Sequence, residues 1–193
     1  MNIKDYMLKI GVEAKKASFG IAAATSSQKN KFLCALGENI LKNQLEIINS
    51  NKKDLIQAVT NKNDAAFIDR LTLNEKNIKG MADGLFHIAK LADPIGEIIN
   101  TKKMPSGIKV SQMRVALGVI GMIYESRPNV TIDCAGLAIK SGNAIILRGG
   151  SESINSNTYL GKLISQSLDE SGIHSKAVQI VETTDREAVN ELI

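Results

Sequence analysis

Aromatic side chains are scarce in this chain, at 4% of its 193 residues with no tryptophan. A chain of this length can bury a core large enough to fold by itself, but Ile, Leu, Val and Ala must fill it. Cysteine is nearly absent. Cys34 and Cys134 lie far apart and have the spacing of neither a disulfide framework nor a metal site, so no metal is expected. Free thiols suit a reducing cytoplasm. No stretch stays apolar for the roughly 18 residues that a membrane span requires, and the opening MNIKDYMLKI lacks the apolar run of a secretory leader. Charged residues make up 23%, with a net charge of +4. The lysines are scattered in pairs, at Lys15-Lys16, Lys52-Lys53 and Lys102-Lys103, and form no basic run. Without clustered charge or aromatic platforms, nucleic-acid binding is not expected. His87 and His174 have no visible partner and are assigned no catalytic role.

Hydrophobic periodicity divides what remains. Residues 3–17 read as an amphipathic helix with Ile3, Tyr6, Ile10 and Ala14 on one side. The segment SFGIAAATSS reads as a linker. A long helix is expected from Gln28 to Asn49 on the stripe Leu33, Leu36, Ile40 and Ile47, with a break at Asn49-Ser50-Asn51 and short helical pieces to Leu71. Thr72 and Glu75 have capping-box spacing ahead of a helix carrying Ile78, Met81, Leu85 and Ile88. Asp93-Pro94 ends it. Residues 1–93 are therefore helical and carry no obvious chemistry.

Residues 94–115 change character. EIINTKK and GIKVSQMRV alternate around a Pro-Ser-Gly turn and predict an exposed hairpin. VALGVIGMI is almost continuously apolar, as in a strand buried on both faces. Over 116–193 the order is strand, helix (129–141), strand (144–147), helix (153–170), strand (177–181) and a helix beginning near Thr184 and Glu187. Such β-α-β-α-β-α order predicts an α/β fold with a parallel, Rossmann-like sheet, and ligands of such sheets sit beyond the carboxyl ends of the strands. The stretches YESRPN and RGGSE both fall at those ends. The chain stops at Ile193 within the last helix, which is read as a cut.

Neither stretch is a G-x-G-x-x-G loop, because Gly118 and Gly121 lie within the strand. In Tyr124-Glu125-Ser126-Arg127-Pro128-Asn129, Asn129 is either a plain helix N-cap or an amide donor to a developing oxyanion. In ILRGGSE, Arg148 is either a surface residue on a flexible turn or a group that holds a phosphate or ribose hydroxyl. Gly149 and Gly150 permit close backbone approach, and Ser151 is placed to cap the following helix. Cys34, on the core stripe, and Cys134, within TIDCAGLAI, read as buried structural cysteines.

Taken together, GVIGMIYESRPNVTIDCAGLAIKSGNAIILRGGSE resembles the signature region of the γ-glutamyl phosphate reductase family, of the aldehyde dehydrogenase superfamily. A weaker likeness runs back through DRLTL and ADPIGEI. Ala116 departs from the family pattern, which has proline there. The resemblance implies a partial cofactor-binding domain. Asn129 would stabilise the oxyanion. Tyr124, Glu125, Arg148, Gly149, Gly150 and Ser151 would bind the cofactor, with Arg148 on the adenosine ribose. Ser126 and Arg127 would touch substrate. Ser151, a small hydroxyl where NAD-preferring relatives carry an acid, implies NADPH. The implied reaction converts γ-glutamyl phosphate to glutamate 5-semialdehyde in proline biosynthesis, through a cysteine nucleophile expected in a second domain beyond residue 193. The isolated chain is accordingly expected to be inactive. The hairpin resembles the superfamily's oligomerisation strands, which implies a homo-oligomer. The alternative is an inactive interaction module.

Overall fold

The computed structural model describes residues 2–193. Helix α1 spans Ile3–Ala22. It runs past the expected end at 17 because its buried stripe, Met7, Ile10, Ala14, Ala17 and Ile21, continues at helical spacing. The expected long helix is two. Helix α2, Ser26–Lys42, opens on a capping box made by Thr25 and Gln28, and α3, Gln44–Thr60, follows directly. The break falls at Asn43, whose side chain bonds the Asn39 carbonyl at 2.8 Å. Asn49-Ser50-Asn51 does not break α3. Instead the buried Asn51 donates to the Leu71 carbonyl at 2.9 Å and to the Ser156 hydroxyl at 3.1 Å, and accepts from the Leu73 amide at 2.8 Å. A residue with turn propensity is here a tertiary cross-link.

Helix α4, Ala65–Leu71, precedes α5, Glu75–Lys90. The cap of α5 is Asn74 with Asn77, while the Thr72 hydroxyl turns back to the Ile68 carbonyl. The expected box of Thr72 with Glu75 does not form. Beyond α5, the buried Lys29 ammonium meets Asp93 at 3.0 Å. Asp93 also accepts from Ser26 at 2.7 Å and from the Ile95 amide at 3.0 Å, so it clamps the chain where it leaves the helical layer.

Strands β1, Ile98–Lys103, and β2, Lys109–Met113, form an antiparallel hairpin exposed along its whole length. Its turn needs Gly107, whose φ is +87°. Then come β3 (Val119–Ile123), α6 (Pro128–Lys140), β4 (Ala144–Arg148), α7 (Ile154–Glu170), β5 (Val178–Ile180) and the single turn α8 (Glu187–Asn190). Here too no Thr184–Glu187 box forms, and the Glu187 amide is bonded by Asp185 instead.

The sheet is parallel in the order β3-β4-β5. Central β4 is buried throughout. Its Ile145 and Leu147 enter the main core with α2, α5, α6 and α7. Ile146 points the other way, onto Met7, Ile10 and Ala14 of α1. Two covered faces explain the unbroken apolar run of β4. The same expectation fails for β3, which is only half-buried because it is an outer strand paired along one edge. Among the described residues no helix is long and apolar enough to cross a membrane.

Candidate functional site

At the carboxyl ends of β3 and β4 the two distinctive stretches pack against each other. The Tyr124 amide donates to the Arg148 carbonyl at 3.1 Å. A Cβ on Gly149 would lie 2.4 Å from the Asn157 amide nitrogen and 3.0 Å from the Tyr124 ring, and one on Gly150 would lie 2.0 Å from the Ser126 hydroxyl. These are close approaches that only glycine allows. The pair is therefore a requirement of packing, whatever else approaches it. Ser126 is buried and donates to Glu152 at 2.6 Å. That hydroxyl holds Glu152 below the ordinary carboxylate range against the opposing effect of burial, helped by the Glu152 amide, Ser151 and the Arg148 charge.

A second set of bonds locks the turns from beneath, through residues that sequence reading missed. The Thr131 hydroxyl donates to Asn157 Oδ1 at 2.8 Å. Its single proton is thereby used, so the Tyr124 phenol is the donor in the 2.6 Å contact between Tyr124 and Thr131. Burial pushes that phenol up to about 12. Asn157 Nδ2 continues the chain to Ser153 at 2.9 Å, and Ser153 to the Gly150 carbonyl at 3.0 Å. Nothing in the sequence marks these residues beyond polar side chains in two otherwise apolar helix stripes.

Arg148 is buried at 7% exposure, which excludes the surface-arginine alternative. Its guanidinium donates to the Gly149 carbonyl and, at 3.4 Å, to the Thr184 carbonyl, while Nε has no partner among the described residues. Arg148 lines a cleft of about 480 Å³ with Gly150, Ser151, Glu152, Arg186 and Asn190.

The start of α7 is not capped by Ser151. Asp54, from α3, accepts from the Asn155 and Ser156 amides at 3.1 and 2.8 Å and from both of their side chains. The positive end of that helix is thus already neutralised by a protein carboxylate.

The other candidates are spread wider. Glu125 and Arg127 are exposed and pair with each other at 2.8 Å, and Arg70 reaches Glu125 at 3.8 Å. Asn129 is not an N-cap. That position is Arg127, with Pro128 opening α6, so Asn129 lies inside the first turn. Its amide makes a long 3.4 Å contact to Asp133, whose carboxyl burial pushes up. Cys34 is exposed, not buried as its stripe suggested, because it falls one position outside the Leu33–Leu36 seam. Cys134 is half-buried, and burial, with the Asp133 charge, pushes its thiol up.

No family model matches the chain. The crystal structure of γ-glutamyl phosphate reductase from Thermotoga maritima is 36% identical and superimposes with a TM-score of 0.93, covering 96% of this chain and 45% of that one. The enzyme of the same name from Saccharomyces cerevisiae is 28% identical, with a TM-score of 0.88 over 97% of this chain and 49% of that one. An NAD-dependent aldehyde dehydrogenase from Sinorhizobium meliloti shares the fold at 18% identity, with a TM-score of 0.76 over 97% of this chain and 35% of that one. This chain spans a little under half the length of the two reductases. Its sequence and its fold place it with the γ-glutamyl phosphate reductases, and the fold is shared with the aldehyde dehydrogenase.

Proposed function

We propose that this chain forms the adenosine-side wall of the NADPH site of an enzyme that reduces γ-glutamyl phosphate to glutamate 5-semialdehyde in the cytoplasm. The observation that carries this reading is the 36% identity to the Thermotoga maritima reductase over 96% of the chain. The donor set fits such a cofactor. Arg148 is a buried cation with an unpartnered Nε, beside a cleft of about 480 Å³. A guanidinium so placed donates to ribose hydroxyls in fixed geometry. Ser151, at the lip of the cleft, adds neither bulk nor negative charge. NADPH, when bound, supplies hydride.

The remaining roles are divided by what each side chain already touches. Tyr124 keeps its turn rigid and stays protonated. Ser126 is committed to Glu152, so its role is to hold the turn; Glu125 and Arg127, exposed and paired with each other, are the members of the turn open to substrate. The 3.4 Å contact of Asn129 is weak enough to be exchanged for an oxyanion, which a preorganised amide stabilises as charge develops.

The Cys134 thiol does not suit nucleophilic attack, because burial raises it, whereas an acyl-transfer cysteine needs a stabilised thiolate. We therefore expect the isolated chain to bind NADPH without turnover. Titration calorimetry with NADPH, together with an assay of NADP reduction by glutamate 5-semialdehyde and phosphate, tests both parts. No heat of binding would remove the cofactor reading, and turnover at an ordinary enzymatic rate would remove the expected inactivity.

The exposed hairpin supports a second reading for the same chain. Ile98, Ile99, Val110 and Met113 are each more than half exposed on β1 and β2. Unpaired strand edges carrying such residues are templates for another subunit. Light scattering of the chain at rising concentration decides this, and a strictly monomeric particle would count against it.

A further inference from the structure

The cleft beside Arg148 carries one charge that nothing so far uses. Four charged side chains line it: Arg148, Glu152, Arg186 and Glu187. Glu152 is engaged by Ser126, Glu187 accepts from Asn190 at 3.1 Å, and Arg148 is turned to the Gly149 and Thr184 carbonyls. Arg186 is exposed, and among the described residues its guanidinium has neither an ion-pair nor a hydrogen-bond partner. The loop that carries it is nonetheless held in place. Tyr6 accepts from the Glu182 amide at 3.0 Å, Thr183 from the Asp185 amide at 3.2 Å, and Asp185 from the Glu187 amide at 2.9 Å. The bond from Arg148 to Thr184 ties this loop to the end of β4.

The usual phosphate receptor of a parallel sheet is the first helix terminus beside the cleft. Here that terminus belongs to Asp54, which occupies the Asn155 and Ser156 amides. A second anion at that place would meet a carboxylate, so a phosphate entering the cleft must find its counter-charge on a side chain. Resting on the cofactor reading above, we propose that Arg186 is the specificity residue of this cleft: it pairs with the 2′-phosphate on the adenosine ribose of NADPH, next to the uncharged Ser151. Arg148 holds the ribose, and Arg186 distinguishes the phosphorylated from the plain dinucleotide. A guanidinium pairs with a phosphate through charge-assisted, often two parallel N–H bonds, and a neutral ribose hydroxyl offers no such charge, which is the basis of discrimination.

The test is titration calorimetry on the 193-residue chain with NADPH, NADH, 2′,5′-ADP and 5′-AMP, for the parent, R186A and R186K. Loss of a charge-assisted bond predicts that R186A binds NADPH and 2′,5′-ADP roughly 10-fold or more weakly. NADH and 5′-AMP should be unaffected, and R186K should lie between. The preference of the parent for 2′,5′-ADP over 5′-AMP should also shrink with added salt, as for an exposed ion pair. Thermal melts without ligand should coincide, because Arg186 makes no side-chain contact that stabilises the fold. An R186A chain that binds NADPH as the parent does would overturn the role of Arg186 and leave the cofactor reading standing. A parent that binds neither dinucleotide would overturn both.

Discussion

The two sheets of this molecule use the same kinds of residue under opposite conditions. Strand β4 is Ala-Ile-Ile-Leu-Arg and is buried at every position, whereas β1 and β2 hold Ile98, Ile99, Val110 and Met113 and are exposed at every position. The parallel sheet has helices on both faces, and its strands contribute burial to two cores. The hairpin has its own ladder, a Thr101–Ser111 hydroxyl contact at 2.8 Å, the turn at Gly107 and an exposed Arg114–Glu97 ion pair at 2.8 Å at its base. Isolated two-stranded ladders are at best marginal in water. The stability of the molecule therefore resides in the layered part, and the hairpin is carried by its anchorage to it.

That anchorage offers the largest test. Asp93 sits where the chain leaves the core, and its partner Lys29 is buried. Removing the carboxylate in Asp93→Asn leaves an unpaired buried ammonium and should destabilise by about 3–5 kcal/mol, read from the urea midpoint. Acid should have the same effect. Burial by itself would raise the Asp93 carboxyl, but the Ile95 amide, Ser26 and Lys29 outweigh it and hold the group below its ordinary value of 3.8. Its contribution is then complete above the unfolded-state value and fades as pH falls through the lower folded-state value. Asp93→Asn should flatten that part of the acid-unfolding profile. An unchanged profile would mean that the clamp is ornamental.

Next in size is the contrast between the sheets. Leu147→Ala removes a fully buried side chain from β4 and should cost about 2–5 kcal/mol. Smallest of all, Val110→Thr on the exposed hairpin should stay within about 0.5 kcal/mol. Equal losses from the two substitutions would show that the hairpin is covered in solution, which would sharpen the oligomer reading.

Much of the second half was legible because its signals are local and repeated. Apolar runs bounded by Gly142 and Gly172, each with positive φ, mark strand and helix ends at nearly the right residues. The first half was harder, since its asparagines have two uses. Asn43 ends a helix, while Asn51 lies inside one and bonds segments far along the chain. Propensity cannot separate these uses, because the deciding partners are distant. The same limit applied to the site. YESRPN and ILRGGSE stood out as words, yet Thr131, Asn157 and Asp54, which fix and cap them, did not.

What the amino-acid order determined by itself is the parallel α/β layout, the placing of both turns at the carboxyl edge of the sheet, and the family resemblance, all of which follow from near-neighbour patterns. Only the tertiary structure decided that the glycine pair is demanded by Tyr124, Ser126 and Asn157, that Arg148 is buried, and that Asp54 has already taken the anion place on α7. Those facts depend on which distant groups meet. A buried polar atom must find a partner wherever the fold supplies one.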